Sequence, residues 1–244
     1  MSGLDVRMFT VGQIQENAYI VSAKGAKRAV MIDPGAEAER LLEAARADGV
    51  EIEAILITHC HFDHIGAVAE VARATGAPVY CPEIERGVLA DIPSWTPPGF
   101  GPFESYEAEE TVQGGERLSL AGLDIEVVFT PGHSPGHVTY AIAAGGEAGG
   151  GERTLLSGDV LFQGSVGRTD LPGGDWNVLE RSIGGLLKAF PADTAVYPGH
   201  MGATTLERER DTNPFLQELR VPVSQPTADA APDLAERSLP DAGS

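Results

Sequence analysis

Apolar and β-branched positions fall in short runs divided by Gly, Pro and acidic turns. Residues 5–11 and 18–23 are β-prone runs and Arg28-Ala29-Val30-Met31-Ile32 is a third, with a turn at Lys24-Gly25-Ala26-Lys27. Asp33-Pro34-Gly35 ends that strand. Residues 36–47 have helical spacing and are rich in Ala, Leu and Glu, and Asp48-Gly49 supplies the stop. A strand over 53–57 and a helix over 65–74 follow, then a strand at 77–81 and a helix at 83–91. The spacing thus predicts strand and helix in alternation up to about residue 91.

Residues 93–106 break the pattern, with Pro93, Pro97, Pro98 and Pro102 among Trp95, Phe100, Phe103 and Tyr106. Such a segment is either a lid or pocket wall, or a surface loop pinned by its own aromatics. Hairpin signals return at Gly114-Gly115, Ala121-Gly122 and Gly145-Gly146, with strands at 116–120, 123–130, 138–143 and 154–156. A Gly-rich loop at 163–174 leads to a helix at 176–189 and a strand at 194–197. A short helix then starts at Thr204 and breaks at Asn213-Pro214. The Pro, Ala, Ser and Asp content of 221–244 predicts a disordered acidic tail, leaving one domain at 1–220.

Composition narrows the function classes. In 244 residues, 17 Lys and Arg face 36 Asp and Glu, a formal net charge of -19. That field repels phosphate backbones and anionic membrane surfaces, so neither nucleic acid nor membrane is expected as a partner. No apolar run is long enough to cross a bilayer and residues 1–7 lack a signal-like apolar stretch, which points to the cytoplasm. Oligomeric state has no signal in the pattern. Cys60 and Cys81 lie outside any C-x-x-C pattern and read as small buried apolar residues.

The chemistry is concentrated in Thr58-His59-Cys60-His61-Phe62-Asp63-His64, where the strand over 53–57 gives way to the next helix. Residues two apart at a strand end point the same way, so His59 and His61 can grip one ion while Asp63 and His64 face a neighbouring point. Crowding three imidazoles and a carboxylate gains little unless a cation offsets their desolvation. Three further strands end in turns beside Gly or Pro, at Thr130-Pro131-Gly132-His133, Ser157-Gly158-Asp159 and Tyr197-Pro198-Gly199-His200. Of six histidines only His137 lies elsewhere, and it reads as a residue that holds the loop by a hydrogen bond.

These motifs, with Gly167-Arg168-Thr169-Asp170, resemble the metallo-β-lactamase-fold hydrolases, and within them the glyoxalase II-like group, over most of residues 10–216. The resemblance implies a four-layer αββα sandwich: two mixed sheets face to face, helices outside, metals along one edge. It implies that His59, His61 and His133 hold one metal, Asp63, His64 and His200 a second, and Asp159 bridges them. Two divalent ions are expected, zinc first, with iron or manganese also suited to such ligands. The expected activity is hydrolysis of a small acyl-thiol, an S-2-hydroxyacyl thioester, by a metal-bound hydroxide, with Asp63 orienting the nucleophile or taking its proton. Arg168 is a candidate for a substrate carboxylate, against a structural pairing with Asp170. True β-lactamases of the fold are expected to be less similar, because their second site commonly has Cys where Asp159 stands.

Other activities share the fold. A persulfide dioxygenase would use one iron held by His61 or His59, with His133 and Asp159. A lactonase is a further variant, and the acidic charge weighs against a nuclease.

Overall fold

The computed structural model describes residues 3–145 and 152–219. The tail assigned to 221–244 and most of the hairpin tip after Gly145 lie outside the described residues.

β1 (Leu4–Val11), β2 (Glu16–Ala23) and β3 (Arg28–Ile32) form an antiparallel meander. β4 (Glu51–Leu56), β5 (Val79–Pro82) and β6 (Glu110–Val112) extend it in parallel, giving the order β1-β2-β3-β4-β5-β6. The crossovers carry α1 (Ala38–Asp48), α2 (Phe62–Ile65), α3 (Val68–Thr75) and two single turns, α4 (Arg86–Leu89) and α5 (Ile92–Trp95). The second sheet contains β7 (Arg117–Leu120), β8 (Leu123–Phe129), β9 (Val138–Ala144) and β10 (Thr154–Gly158). A small hairpin, β11 (Leu161–Phe162) with β12 (Ser165–Val166), precedes α6 (Trp176–Ala189), β13 (Ala195–Pro198), β14 (Thr204–Thr205) and α7 (Leu206–Thr212). The strand order there is β14-β13-β10-β9-β8-β7.

The two-residue period of a strand explains the layers. Along β2 and β3, Tyr19, Val21, Val30 and Ile32 face Leu56, Val127, Tyr140 and Leu156 in the core between the sheets. The intervening Ala18, Ile20, Ala29 and Met31 face Leu41, Ala45, Val68 and Val71 of α1 and α3. Both faces are buried, so these strands read as unbroken apolar runs. On the far side Leu179, Ile183 and Leu186 of α6 cover Leu155 and Val196. Helix, sheet, sheet and helix make the expected four layers.

Several expectations need correction. Gly114-Gly115 carries the chain from one sheet to the other and makes no hairpin. The loop assigned to 163–174 includes β12, and Pro-rich 93–106 opens with the end of α5. The predicted 83–91 helix is a 3-10 turn at Glu83–Glu85 followed by α4. Thr204-Thr205 pair with β13, and the Thr205 hydroxyl then caps α7 by accepting from the Arg208 N–H at 3.3 Å. Strands of two residues, such as β12 and β14, are too short to show a two-residue period, so local periodicity does not reveal them. Among the described residues no helix is long and apolar enough to cross a membrane.

Candidate metal centre

All seven residues read from the sequence as metal ligands converge where β4, β8, β10 and β13 end. Nε2 of His133 lies 3.2 Å from Nε2 of His59 and 2.8 Å from Nδ1 of His61, and those two are 3.1 Å apart. Asp63, His64 and His200 form the neighbouring group, with His200 Nε2 3.3 Å and His64 Nε2 3.5 Å from Asp63 Oδ2. Asp159 stands between. Its Oδ2 is 3.5 Å from His133 Nε2 on one side and 3.5 Å from His200 Nε2 on the other, and its Oδ1 is 3.4 Å from His64 Nε2.

The hydrogen-bond network fixes the histidine tautomers. Nδ1–H of His133 donates to the Arg168 carbonyl at 2.8 Å, that of His200 to the Gln15 carbonyl at 3.2 Å, and that of His64 to Asp33 Oδ2 at 3.0 Å. Nδ1–H of His59 donates to Thr58 Oγ1 at 3.1 Å, and Thr58 Oγ1 donates to Asp33 Oδ2 at 2.6 Å. Each of these rings has its proton on the outward nitrogen, so its inward lone pair points at the centre. Lone pairs at about 3 Å repel one another unless a cation lies between them. Two buried polar atoms aimed inward, His64 Nε2 and Asp159 Oδ1, have no hydrogen-bond partner among the described residues. The residues present therefore fit a pair of divalent cations.

His137 differs from the others. Its Nε2 accepts the Asp159 backbone N–H at 3.0 Å and its Nδ1 bonds Thr130 Oγ1 at 3.0 Å, so both nitrogens are engaged. The loop-holding role fits it. Arg168 extends into solvent, 61% exposed, and grips Asp170 through two bonds of 2.7 Å. Phe62 packs against Phe100 and Phe103 at centroid distances of 4.7 and 5.9 Å, so the Pro-rich segment is seated on the ligand turn itself.

Charges follow burial and neighbours. Burial, then the imidazoles around it, pushes His59 well below the ordinary histidine range, and burial with His133 brings His61 down to about 4. Burial also opposes charge on His64 and His200, but the adjoining carboxylates of Asp159 and Asp63 outweigh it and raise both. Against the same burial, His64 is the main influence holding Asp63 and Asp159 below the carboxylate range.

Four supporting residues escaped the sequence reading. Asp33, with φ of 47°, accepts from the Thr58 N–H at 2.7 Å and from His64, and so links two ligand positions. It also approaches His59 and His64 as a possible ligand group, but both its oxygens are already engaged by hydrogen bonds. Glu85 accepts from the Cys60 N–H at 2.5 Å, the Ser134 hydroxyl at 2.5 Å and the Gly136 N–H at 2.8 Å, bracing the turns that carry His59 and His133. Asn17 donates to the Pro198 carbonyl at 3.1 Å and the Met201 carbonyl at 2.8 Å on either side of His200. Glu16 is buried 3.7 Å from His64 Nδ1, its oxygens without hydrogen-bond partners among the described residues, and burial pushes its carboxyl well up. The Asp-Pro-Gly strand end was a usable signal for Asp33. Glu85 gave none, because a Glu among Glu residues reads as a solvated face.

Glycine is required where the backbone passes the centre. A Cβ at Gly199 would run into Asp159 Oδ1 and His64 Cε1. The free thiols of Cys60 and Cys81 are buried with sulfurs 3.5 Å apart, facing the apolar layer.

The profile of the metallo-beta-lactamase superfamily matches residues 11–200. The chain belongs to that superfamily. As a member it is a metal-dependent hydrolase, and its relatives agree over nearly their full lengths. It is 38% identical over 215 residues to the probable metallo-hydrolase YqgX of Bacillus subtilis strain 168, covering 86% of this chain and 96% of that protein. It is 32% identical over 216 residues to hydroxyacylglutathione hydrolase GloC of Haemophilus influenzae, covering 87% and 98%. Among solved structures, TTHA1623 in a di-iron-bound form is 40% identical with a TM-score of 0.68, covering 86% and 100%. BLEG-1, a B3 metallo-β-lactamase, is 37% identical with a TM-score of 0.78, covering 87% and 100%. BLEG-1 departs from the expectation that β-lactamases stand further away, whereas MEM-A1, a subclass B3 metallo-β-lactamase, meets it at 21% identity and a TM-score of 0.59.

Proposed function

We propose that the protein is a thioesterase that cleaves an S-2-hydroxyacyl-thiol, with His59, His61 and His133 holding one divalent ion, Asp63, His64 and His200 a second, and Asp159 touching both. The observation that carries this reading is the position of Asp159, within 3.5 Å of inward nitrogens from both groups. Similarity to GloC over nearly its whole length supports the substrate class, and the di-iron form of TTHA1623 supports a two-metal occupancy with iron beside zinc and manganese as candidates. Bound there, divalent cations supply electrophilic polarisation of a carbonyl and lower the pKa of water.

The chain's own groups do the rest. The outward hydrogen bonds of the imidazoles hold their inward lone pairs ready, so little reorganisation accompanies binding. Asp63, half-buried at the rim beside His200, is positioned to orient the attacking water and take its proton. The seating of residues 100–103 on Phe62 supports their role as a wall beside it.

Metal content per chain, measured with thiol release from S-lactoylglutathione, tests the proposal. Two ions with thiol release support it. One iron with oxygen uptake on glutathione persulfide overturns it in favour of the dioxygenase. The similarity to BLEG-1 favours β-lactam opening as the second reading, so a β-lactam belongs in the same assay.

A further inference from the structure

Near the metal centre lies a hollow of about 530 Å³, bounded by residues 166–170, Trp176 and Phe215. Pockets of that size accommodate small-molecule groups. One wall of the hollow packs on the outer side of the centre: a Cβ at Gly167 would collide with the Asp159 carbonyl and stand 3.2 Å from His133 Nδ1, its outward nitrogen, and the next carbonyl, of Arg168, is the one that orients His133. Trp176 reaches it from the same turn, because the Asp175 N–H donates to the Gly132 carbonyl at 2.8 Å, one residue before His133.

Most of the surface that the walls expose is apolar. Trp176 and Phe215 are 37% and 49% exposed, with ring centroids 6.4 Å apart. Phe215 is set in place from below, since its N–H donates to Asn213 Oδ1 at 3.0 Å. Buried Asn213 in turn donates to the Ser165 carbonyl at 2.9 Å and Glu209 Oε2 at 2.8 Å. Two neighbouring aromatics exposed over a hollow make a candidate binding surface. The one cation lining the hollow, Arg168, is already neutralised by its two bonds to Asp170. A group carrying two carboxylates finds no spare positive charge among those lining residues, in a chain of net charge -19.

We infer that this hollow receives an uncharged, apolar group of the substrate, so that the enzyme prefers an alkyl- or aryl-bearing thioester to S-lactoylglutathione. The inference rests on the thioesterase reading for its substrate and on the hollow alone for its ligand chemistry. The apolar group enters from either the thiol or the acyl half, and the assay separates the two.

The experiment compares kcat/KM for S-lactoylglutathione, S-lactoyl-2-phenylethanethiol and S-phenyllactoylglutathione. One aryl substrate is expected to exceed S-lactoylglutathione by about tenfold or more, the discrimination available to a modest apolar contact. Trp176→Ala and Phe215→Ala should remove that advantage through KM, leaving S-lactoylglutathione within about twofold and metal content unchanged. A binding readout independent of turnover accompanies it: Trp176 fluorescence in a Trp95→Phe background, titrated with 4-phenylbutanol and with S-methylglutathione. Phenylbutanol is expected to shift the emission, with the response weakened in Phe215→Ala, and S-methylglutathione to leave it unchanged. Equal loss on all three thioesters, or no response to phenylbutanol, overturns the assignment. A phenylbutanol response with no thioester cleaved overturns the thioesterase reading and leaves the hollow standing.

Discussion

His137 Nε2 accepts the backbone N–H of Asp159 at 3.0 Å, so a histidine that belongs to neither ligand group, its ring stacked on His59 at a centroid distance of 4.9 Å, sets the residue between them. Its second nitrogen is tied to Thr130, whose hydroxyl contacts that of Thr139 at 3.0 Å. His137→Ala leaves the buried Asp159 N–H without its acceptor, at about 1–3 kcal/mol, while the Thr130 hydroxyl keeps Thr139. Metal affinity should fall by about 10–100-fold, as for other residues that orient ligands. Competition with a chelator measures this, and His137→Asn, which keeps an acceptor, should recover part of it.

Asp159→Ala removes the carboxylate that stands between the two clusters of ligand candidates. Metal content should drop below two per chain and turnover by more than about 100-fold, a larger effect than at His137. Elemental analysis beside a thiol-release assay reads both. Unchanged metal with full turnover would rule out the bridging role.

The two halves of the centre should part on acidification. His64 and His200 are raised, so they take up a proton above the ordinary histidine range, and that proton competes with a cation. His59 is held well below that range and His61 at about 4, so their lone pairs stay free into mild acid. As pH falls, the ion beside Asp63 should leave first. Equilibrium dialysis at stepped pH should show two ions give way to one before the protein becomes metal-free, and simultaneous loss would contradict this.

Asn17 ties the His200 turn to β2, an attachment between the two sheets. Met201, next to His200, has φ of 68°, a conformation costly for a side chain with a Cβ. Asn17→Ala frees the Met201 carbonyl, while the Pro198 carbonyl keeps the Tyr19 hydroxyl at 2.6 Å, and lets that turn relax. Occupancy of the second ion should fall while that of the first holds, with a stability loss of about 1–3 kcal/mol in denaturant unfolding.

Glu85→Ala tests the brace between the His59 and His133 turns. Three buried donors lose their acceptor, which should cost at least about 3 kcal/mol. In a domain of this size that lowers the thermal midpoint by on the order of 10 °C. Calorimetry of the metal-free protein would register the loss separately from any effect on binding.

Local chemistry determined much of this protein. Runs such as Val30-Met31-Ile32 and Leu155-Leu156 announce strands buried on both faces, and the H-x-H-x-D-H spacing places four polar groups at one strand end. His133, Asp159 and His200 were legible because Gly and Pro mark their turns. Their meeting was a matter of tertiary structure, since β4, β8, β10 and β13 lie in two sheets whose strand order no local pattern states. Only the folded chain shows Asp33 beside His64, Glu85 beneath two ligand turns, Asn17 against Met201, and Trp176 facing Phe215. Each of these contacts joins residues more than 20 positions apart. A buried acid has the same sequence signature as a solvated one, and packing alone decides which it is.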